Sequence, residues 1–362
     1  MSARRALTWG PAGIALGVLV AFPYLTSDFV TSTVGIRALW LGMAAVSITF
    51  LAGYAGMVSL AQTALYGIAG FTMANLVAAD GGAQHIRIFG LNLGDNWSPT
   101  TSAVAGVVVA TIIGVAFGAI GSRSEGIYFL MLTLALGVLT YYLFGQVESL
   151  SGFGGVNQVP HPGWVGDPLD RPGRLYYVSL VAAVLVYLMI RYVVRTPFGF
   201  AMQGVRDDPV RMQSLGFNVA LHRALAFGLG SFIAGIAGVF SVWYNGQISP
   251  GSVDLTRTIN LLAIAVVGGL AWLEGAWIGA FAFVLIDYAV KRWAGNVSIL
   301  GGSVNGVERF ETWFGAIFLA IILMSPGGLM GIWTSLVGRA EQLLARPAPP
   351  EVEQAEPAIE KH

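Results

Sequence analysis

Long apolar stretches, separated by short polar or glycine-rich connections, dominate this sequence. Ten such segments can be drawn, at about 8–26, 33–52, 57–78, 101–121, 127–144, 175–194, 224–245, 258–273, 275–290 and 310–325. A helix needs about 20 apolar residues to cross a bilayer, and most of the segments approach or reach that length. The stretches are continuously apolar rather than alternating, which argues against a membrane β-barrel. We therefore predict an all-α, polytopic membrane helix bundle of about ten transmembrane segments.

The basic residues predict an orientation and a division of the chain. If the N-terminus is cytoplasmic, an even number of crossings places the C-terminus on the same side. The densest basic stretch, from Arg191 to Arg223, then lies in the cytoplasm, as the positive-inside rule prefers. We predict a transmembrane permease domain over residues 1–338 and a disordered cytoplasmic tail, rich in proline and glutamate, over residues 339–362. The first segment resembles a signal peptide but lacks a cleavage site, which favours a retained helix.

Composition narrows the functional class. The chain has 362 residues, 56% of them hydrophobic and 10% charged, against about 25% charged residues in soluble domains. Its net charge is zero and its basic residues are scattered, so no nucleic-acid partner is expected. There is no cysteine, and the four histidines are not at metal-ligand spacing. We predict no metal, no cofactor and no enzyme activity, with a membrane enzyme as the weaker alternative.

The spacing of small residues predicts how the helices pack. In lipid, helices associate through close contact at small side chains. Small residues recur every fourth position at Gly106, Ala110, Gly114 and Gly118, at Gly230, Ala234 and Gly238, and at Gly275 and Gly279. The alternative is that glycine is simply common in membrane helices. The regular spacing favours packing faces.

Two pairs of glycines interrupt otherwise apolar runs, Gly53 with Gly56 and Gly268 with Gly269. Broken helices at membrane depth are tolerated where they face protein or a water-filled path. Polar residues nearby or in other helices are candidates for lining such a path: Ser59, Gln62, Thr63, Thr133 and Asn260. Each could equally form a hydrogen bond between helices, so both interpretations stay open.

The sequence limits the possible energy source. Asp287 is the only carboxylate well inside a segment, and Lys291 follows it by one helical turn. A snorkelling ion pair between the two is favoured over a proton site, although Asp287 leaves a proton-coupled secondary transporter as an alternative. The chain has only two lysines, Lys291 and Lys361, and neither follows a glycine-rich phosphate-binding loop. If ATP drives transport, a separate chain must bind it.

The segment from Arg195 to Arg223 is the longest predicted cytoplasmic connection. Pro197 ends the preceding helix, residues from Phe198 to Val205 fit a short amphipathic helix, and Gly216 gives a stop. A short helix lying across the membrane face could transmit force from a partner. A plain solvated loop is the alternative.

Seven motifs in order resemble the M-type permease subunit of branched-chain amino-acid ABC importers, within a wider group that includes urea-type importers. The resemblance runs from about residue 36 to residue 333. The motifs are GYAGMVSLAQTALYGIAGF from Gly53, GIYFLMLTLALG from Gly126, SGFGGV from Ser151, TPFGFAMQGVRDD with SLGFNV from Thr196, ISP from Ile248, VVGGLAWLEGAWIGA from Val266 and SPGGLMG from Ser325.

The resemblance implies a bacterial inner-membrane permease that imports branched-chain amino acids or related small polar solutes, with urea or short amides as the alternative substrates. It implies two separate ATPase subunits, a second related permease and an extracytoplasmic substrate-binding protein. It also implies a coupling loop that includes Gly199, Arg206, Asp207, Leu215 and Gly216. The chain departs from the family pattern at Phe200, Gln203 and Gln213 in this loop, and at Ala271, Trp272 and Ala276 near the second break.

Overall fold

The computed structural model describes residues 17–77, 97–148, 150–166, 172–293 and 327–335, two short hairpins, and scattered positions between 315 and 325. The helices are α1 (17–25), α2 (Asp28–Val30), α3 (Arg37–Ala55), α4 (Gln62–Val77), α5 (Pro99–Gly121), α6 (Gly126–Gln146), α7 (Pro172–Val194), α8 (Pro197–Asp207), α9 (Pro209–Ser214), α10 (Val219–Asn245), α11 (Leu255–Gly268) and α12 (Leu273–Trp293). A π-helical turn, Thr31–Ile36, joins α2 to α3, and a 3₁₀ turn, Pro250–Ser252, precedes α11. Strands β1 (Arg87–Ile88) and β2 (Leu91–Asn92), and strands β3 (Val297–Ile299) and β4 (Gly302–Val304), form the two antiparallel hairpins.

Seven helical stretches in the described part of the chain are long and apolar enough to cross a membrane. They are Asp28–Ala55, Pro99–Gly121, Gly126–Gln146, Pro172–Val194, Val219–Asn245, Pro250–Gly268 and Leu273–Val290. This confirms a multi-pass helical membrane protein. The predicted first segment, 8–26, is described only from residue 17 onward, where it forms α1, and the predicted tenth segment, 310–325, is described only at scattered positions. The count of ten and the orientation of the termini therefore stay predictions.

Two predicted boundaries were wrong, and both errors fall at the glycine breaks. The segment predicted at 57–78 is helical only over Gln62–Val77, because α3 ends at Ala55 and residues 56–61 are not helical. The segment predicted at 258–273 ends at Gly268, where the backbone turns. Continuous hydropathy hides such breaks, since residues at a break can be as apolar as the helices that flank it.

Burial divides the bundle into central and peripheral helices. The apolar windows of Asp28–Ala55 and Val219–Asn245 are 89% and 78% buried, whereas those of α5, α6 and α7 are 22–28% buried. In the shorter α4, every residue except Thr72 is buried. The core is therefore built around α3, α4 and α10, and the outer helices present apolar side chains to their surroundings.

The predicted glycine faces are the contact faces. Gly106, Ala110, Gly114 and Gly118 are buried on α5, although most of that helix is not. A Cβ atom at Gly106 would overlap the carbonyl oxygen of Ala69 on α4, and one at Gly238 on α10 would overlap the carbonyl oxygen of Tyr66. Backbone thus meets backbone where α4, α5 and α10 come together, which confirms the packing interpretation.

We expect Gly238→Ala to destabilise the protein by about 1–3 kcal/mol, because the added methyl group would meet a rigid carbonyl group rather than a side chain that can move. Thermal unfolding in detergent micelles would measure this loss. Gly173→Ala, on α7, is the matched control, since nothing lies within 4 Å of a Cβ there. Equal unfolding temperatures for the two variants would contradict the contact.

Candidate transport path and coupling segment

The first break lies between α3 and α4. The helix α3 ends at Ala55, and Gly56 adopts a left-handed conformation with φ of 69° that other residues rarely accept. The backbone N–H of Met57 donates to the carbonyl oxygen of Leu51 at 3.0 Å, which closes the end of α3. Residues 56–61 then cross to the start of α4 without helical structure. The predicted break is confirmed at Gly56, whereas Gly53 still lies within α3.

Hydroxyl groups organise the crossing segment. The Oγ atom of Ser59 accepts from the N–H of Ala61 at 3.1 Å, and the Oγ1 atom of Thr133 on α6 accepts from the N–H of Leu60 at 3.2 Å. Ser59 and Thr133 are both buried. Thr133 therefore ties α6 to the break, and its hydroxyl group in turn donates to the carbonyl oxygen of Leu130 at 2.9 Å.

Gln62 differs from these residues because its buried polar groups are unsatisfied. Neither atom of its side-chain amide has a hydrogen-bond partner among the described residues, and the same is true of the Thr63 hydroxyl. An unsatisfied buried polar group costs about 1–3 kcal/mol, so such groups usually meet water or a ligand. Asn260 is half-buried on α11. A path lined by Ser59, Gln62, Thr133 and Asn260 stays a prediction.

The second break meets the first. The helix α11 ends at Gly268, Gly269 has φ of 112°, and α12 begins at Leu273. A Cβ atom at Gly53 would lie only 2.9 Å from the carbonyl oxygen of Leu270. The absence of a side chain at Gly53 therefore lets the end of α3 contact the second break, which the sequence did not reveal.

Residues 196–217 are the candidate coupling segment. The amphipathic helix predicted within it is confirmed as α8. The Thr196 side chain caps it by accepting from the N–H of Gly199 at 3.3 Å, and Pro197 occupies its first position. Its buried face consists of Gly199, Ala201, Met202 and Val205. A Cβ atom at Gly199 would overlap the carbonyl oxygen of Val193, so this glycine lets α8 turn directly beneath the end of α7.

A second short helix, α9, was missed. Asp208 caps it, with the Oδ1 atom accepting from the N–H of Arg211 at 2.9 Å, and Pro209 follows at the first position. This aspartate–proline pair is a helix-start signal that sequence reasoning could have used. Gly216 then turns the chain with φ of 87°. The apolar side chains of Phe200, Val210 and Leu215 are 64–71% exposed along these two helices.

Arg206 binds within the chain itself. Its Nη1 atom donates to the carbonyl oxygen of Gly53, and its Nε atom donates to Asp207 at 2.8 Å. A Cβ atom at Gly56 would overlap the Arg206 side chain, so this arginine packs against the first break. The coupling segment is thus attached to the end of α3.

Comparison with known proteins identifies the family. Residues 30–326 match the family described as "Branched-chain amino acid transport system / permease component", which covers most of the chain. The chain belongs to this family.

Similar permeases come from bacteria and an archaeon. The high-affinity branched-chain amino acid transport system permease LivM of Salmonella typhimurium is 29% identical over 343 residues, which cover 87% of this chain and 73% of that protein. LivM of Escherichia coli K12 is 29% identical over 346 residues, covering 88% and 74%. A probable LivH permease of Methanocaldococcus jannaschii is 27% identical over 245 residues, covering 64% and 74%.

A buried ion pair in this permease corrects the sequence analysis. Asp287 on α12 was expected to form an exposed, snorkelling pair, but it is only 3% exposed and pairs with Arg37 at the start of α3. The side chain of Lys291, the expected partner, lies outside the described part of the chain. The expected exposure of Asp287 was therefore wrong, and its pair with Lys291 stays a prediction. The pair with Arg37 could not be read from local sequence, because the two residues are 250 positions apart.

We expect Asp287→Asn to destabilise the permease by about 3 kcal/mol, the lower end of the range for breaking a buried pair, because it leaves the partly buried Arg37 guanidinium group without the Asp287 charge. Arg37→Met should cost a similar amount, and the double change of Arg37→Met with Asp287→Leu should recover much of the loss. Unfolding in detergent micelles would measure all three variants.

The Arg223 and Glu125 pair supplies the control, since Glu125 is 65% exposed. Glu125→Gln should cost about 0–1 kcal/mol. If Asp287→Asn were no more costly than Glu125→Gln, the pair would not be buried as described.

Proposed function

We propose that this chain is the membrane-spanning permease of an ABC importer for branched-chain amino acids. The family match and the names of the similar permeases support the substrate class. The observation that carries the mechanism is the coupling segment, two capped helices with exposed apolar side chains beside the point where both breaks meet. Such a surface suits a partner that pushes or pulls on the bundle.

The importer would need partner subunits for ATP hydrolysis, for pairing in the membrane and for substrate delivery. Its sequence contains no phosphate-binding loop, so two separate ATPase subunits would supply the energy. Similarity to both LivM-type and LivH-type permeases supports pairing with a second, related permease. An extracytoplasmic binding protein would deliver the substrate, and the complex would lie in a bacterial inner membrane. A ten-segment topology with both termini in the cytoplasm fits this assignment.

Force would pass through Arg206. Its bond to the carbonyl oxygen of Gly53 ties α8 to the end of α3, and Gly53 abuts Leu270 in the second break. A partner that displaces α8 therefore displaces two interrupted helices together. A ligand can shift a conformational equilibrium only through contacts that differ between states, and this chain of contacts supplies a route for that difference.

The pairing of Asp287 argues against a proton-coupled secondary transporter. The alternative rested on Asp287, whose carboxylate pairs with the Arg37 guanidinium group. A carboxylate that joins α12 to α3 through an ion pair has a structural role that requires no proton transfer. Urea or short amides remain the second substrate class, but the names of the similar permeases favour amino acids.

Cysteine labelling tests the orientation, because the native chain contains no cysteine. Gly154 and Ser214 lie near opposite ends of α10. Gly154 belongs to a segment that pairs with Ile248, just after the last residue of α10, whereas Ser214 ends α9, just before the first residue of α10. An impermeant thiol reagent added to intact cells should label Gly154→Cys and spare Ser214→Cys. The reverse pattern would overturn the orientation.

Reconstitution with the partner subunits tests the function and separates two roles in the coupling segment. The wild-type complex should concentrate leucine at the expense of ATP, and the lone chain should not. Leu215→Asp places a charge in the exposed apolar surface and should weaken ATPase binding by about 2 kcal/mol or more, roughly thirtyfold. Arg206→Met should leave the complex assembled but lower leucine uptake per ATP hydrolysed severalfold, because it removes the bond to Gly53.

Two variants serve as controls. Ser124→Asp adds a charge in the turn between α5 and α6, at the same end of the bundle, and should not affect assembly. Arg195→Met removes an exposed arginine just before α8 and should leave uptake unchanged. Normal assembly with Leu215→Asp, or normal uptake with Arg206→Met, would show that the corresponding role has been assigned to the wrong residue.

A further inference from the structure

A cavity of about 330 Å³ opens between α6 and the amino end of α11. Leu60, from the first break, and Thr258, on α11, are buried at its inner side, whereas Val138, Tyr142 and Leu255 at its open side are 40–52% exposed. The volume lies at the lower end of the range for small-molecule sites, about 300–1,000 Å³. The cavity is thus large enough for a small solute, and it borders a segment that the proposed mechanism moves.

The lining combines aliphatic and charged chemistry. Its apolar part comes from Leu60, Leu134, Val138, Val253 and Leu255, and two tyrosines, Tyr141 and Tyr142, extend it along α6. Asp254 contributes the only carboxylate in this lining. One of its oxygens caps α11 by accepting from the N–H of Arg257 at 2.7 Å. The remaining lone pairs of the carboxylate can accept from an ammonium group.

The amino end of α11 attracts negative charge, whereas Asp254 attracts positive charge. The first N–H groups of a helix have no acceptor within the helix, and this end carries a partial positive charge. Leu255 and Thr256, the first two residues of α11, lie in the lining. A carboxylate can therefore meet backbone N–H groups within one turn of a side chain that attracts an ammonium group.

Contacts connect the cavity to the break. The N–H of Leu60 donates to Thr133 on α6, which fixes the crossing segment to one wall of the cavity. Gln62, with its unsatisfied buried amide, follows Leu60 by two residues. The other end of the same segment begins next to Gly53, to which Arg206 of α8 is bonded. Displacement of α8 would therefore reach the lining.

We propose that this cavity is a subsite for an aliphatic α-amino acid on its way through the membrane, a proposal that rests on the proposed importer function. The branched side chain lies against the apolar wall formed by Leu134, Val138 and Val253. The ammonium group faces Asp254, and the carboxylate faces the first N–H groups of α11. A zwitterion with an aliphatic side chain satisfies all three features together.

Two variants test this assignment in the reconstituted importer with its partner subunits. A Cβ atom at Gly137 would meet only the carbonyl oxygen of Leu60, at 3.7 Å, so Gly137→Leu can extend into the cavity. Asp254→Asn removes the charge but retains a residue that caps helices well. Each should lower kcat/KM for leucine uptake by about tenfold or more. Gly173→Leu, on α7, is the control and should retain wild-type uptake.

Cysteine protection tests occupancy without relying on a variant that fills the cavity. Thr256→Cys should react with a small charged thiosulfonate in the assembled importer, and leucine should slow that reaction. Leu185→Cys, on the apolar surface of α7, should react slowly with or without leucine. A Thr256→Cys side chain that reacts as slowly as Leu185→Cys lies against lipid or a partner and overturns the proposal, as does labelling that leucine does not slow.

Different results would contradict the importer function and the subsite. If the wild-type complex does not transport leucine, the importer function itself is wrong. If the wild-type complex transports leucine and the Gly137→Leu and Asp254→Asn variants do so equally well, the function stands and the cavity is not a subsite.

Discussion

Close approach of one helix backbone to another is the constraint on which this permease depends. Helices in lipid gain little from burying apolar side chains against each other, since the lipid is as apolar as the side chains. Dispersion contacts at short range must replace that gain, and they require small residues at the interface. Gly106 on α5 and Gly238 on α10 each meet a backbone carbonyl oxygen of α4, so these two interfaces admit no added methyl group at either glycine.

The same constraint shapes the two breaks. Gly53 lets the end of α3 contact Leu270, and Gly328 lets the helical segment 328–335 approach the carbonyl oxygen of Val267. Both contacts join backbone to backbone within the last turn of a helix that ends at a break. Irregular backbone is tolerated at such depth only when protein or water surrounds it. The interruptions are thus stabilised by each other, and a displacement of one has to be accommodated by its neighbour.

Local patterns predicted local structure well. The apolar runs, the glycine spacing and the proline–glycine punctuation predicted the helical bundle, the faces of α5 and α10, the two breaks and α8. The helix α9 was missed because the aspartate–proline pair before it was treated as part of a loop. The sequence alone carried enough information for that assignment.

Contacts between distant residues could not be predicted from such patterns. Arg37 meets Asp287 across 250 residues, and Arg206 meets Gly53 across 153. The sequence offered another partner for each charged residue. Asp287 was expected to pair with Lys291 one turn away, and Arg206 was expected to belong to a loop that contacts a partner subunit. Asp254 escaped attention because its sequence context is an ordinary helix cap. Only the positions of α6 and α11 place it beside a cavity.

The helices α3 and α12 are held together differently at their two ends. Near its first residue α3 is joined to α12 by the pair of Arg37 and Asp287, which is costly to separate because the Asp287 carboxylate is buried. In the middle, the Trp277 ring fills the space beside Gly42. At the far end Gly53 lies against the carbonyl oxygen of Leu270, just before α12, in a van der Waals contact that costs little per atom to loosen. The end that yields most easily is therefore the end to which Arg206 attaches the coupling segment.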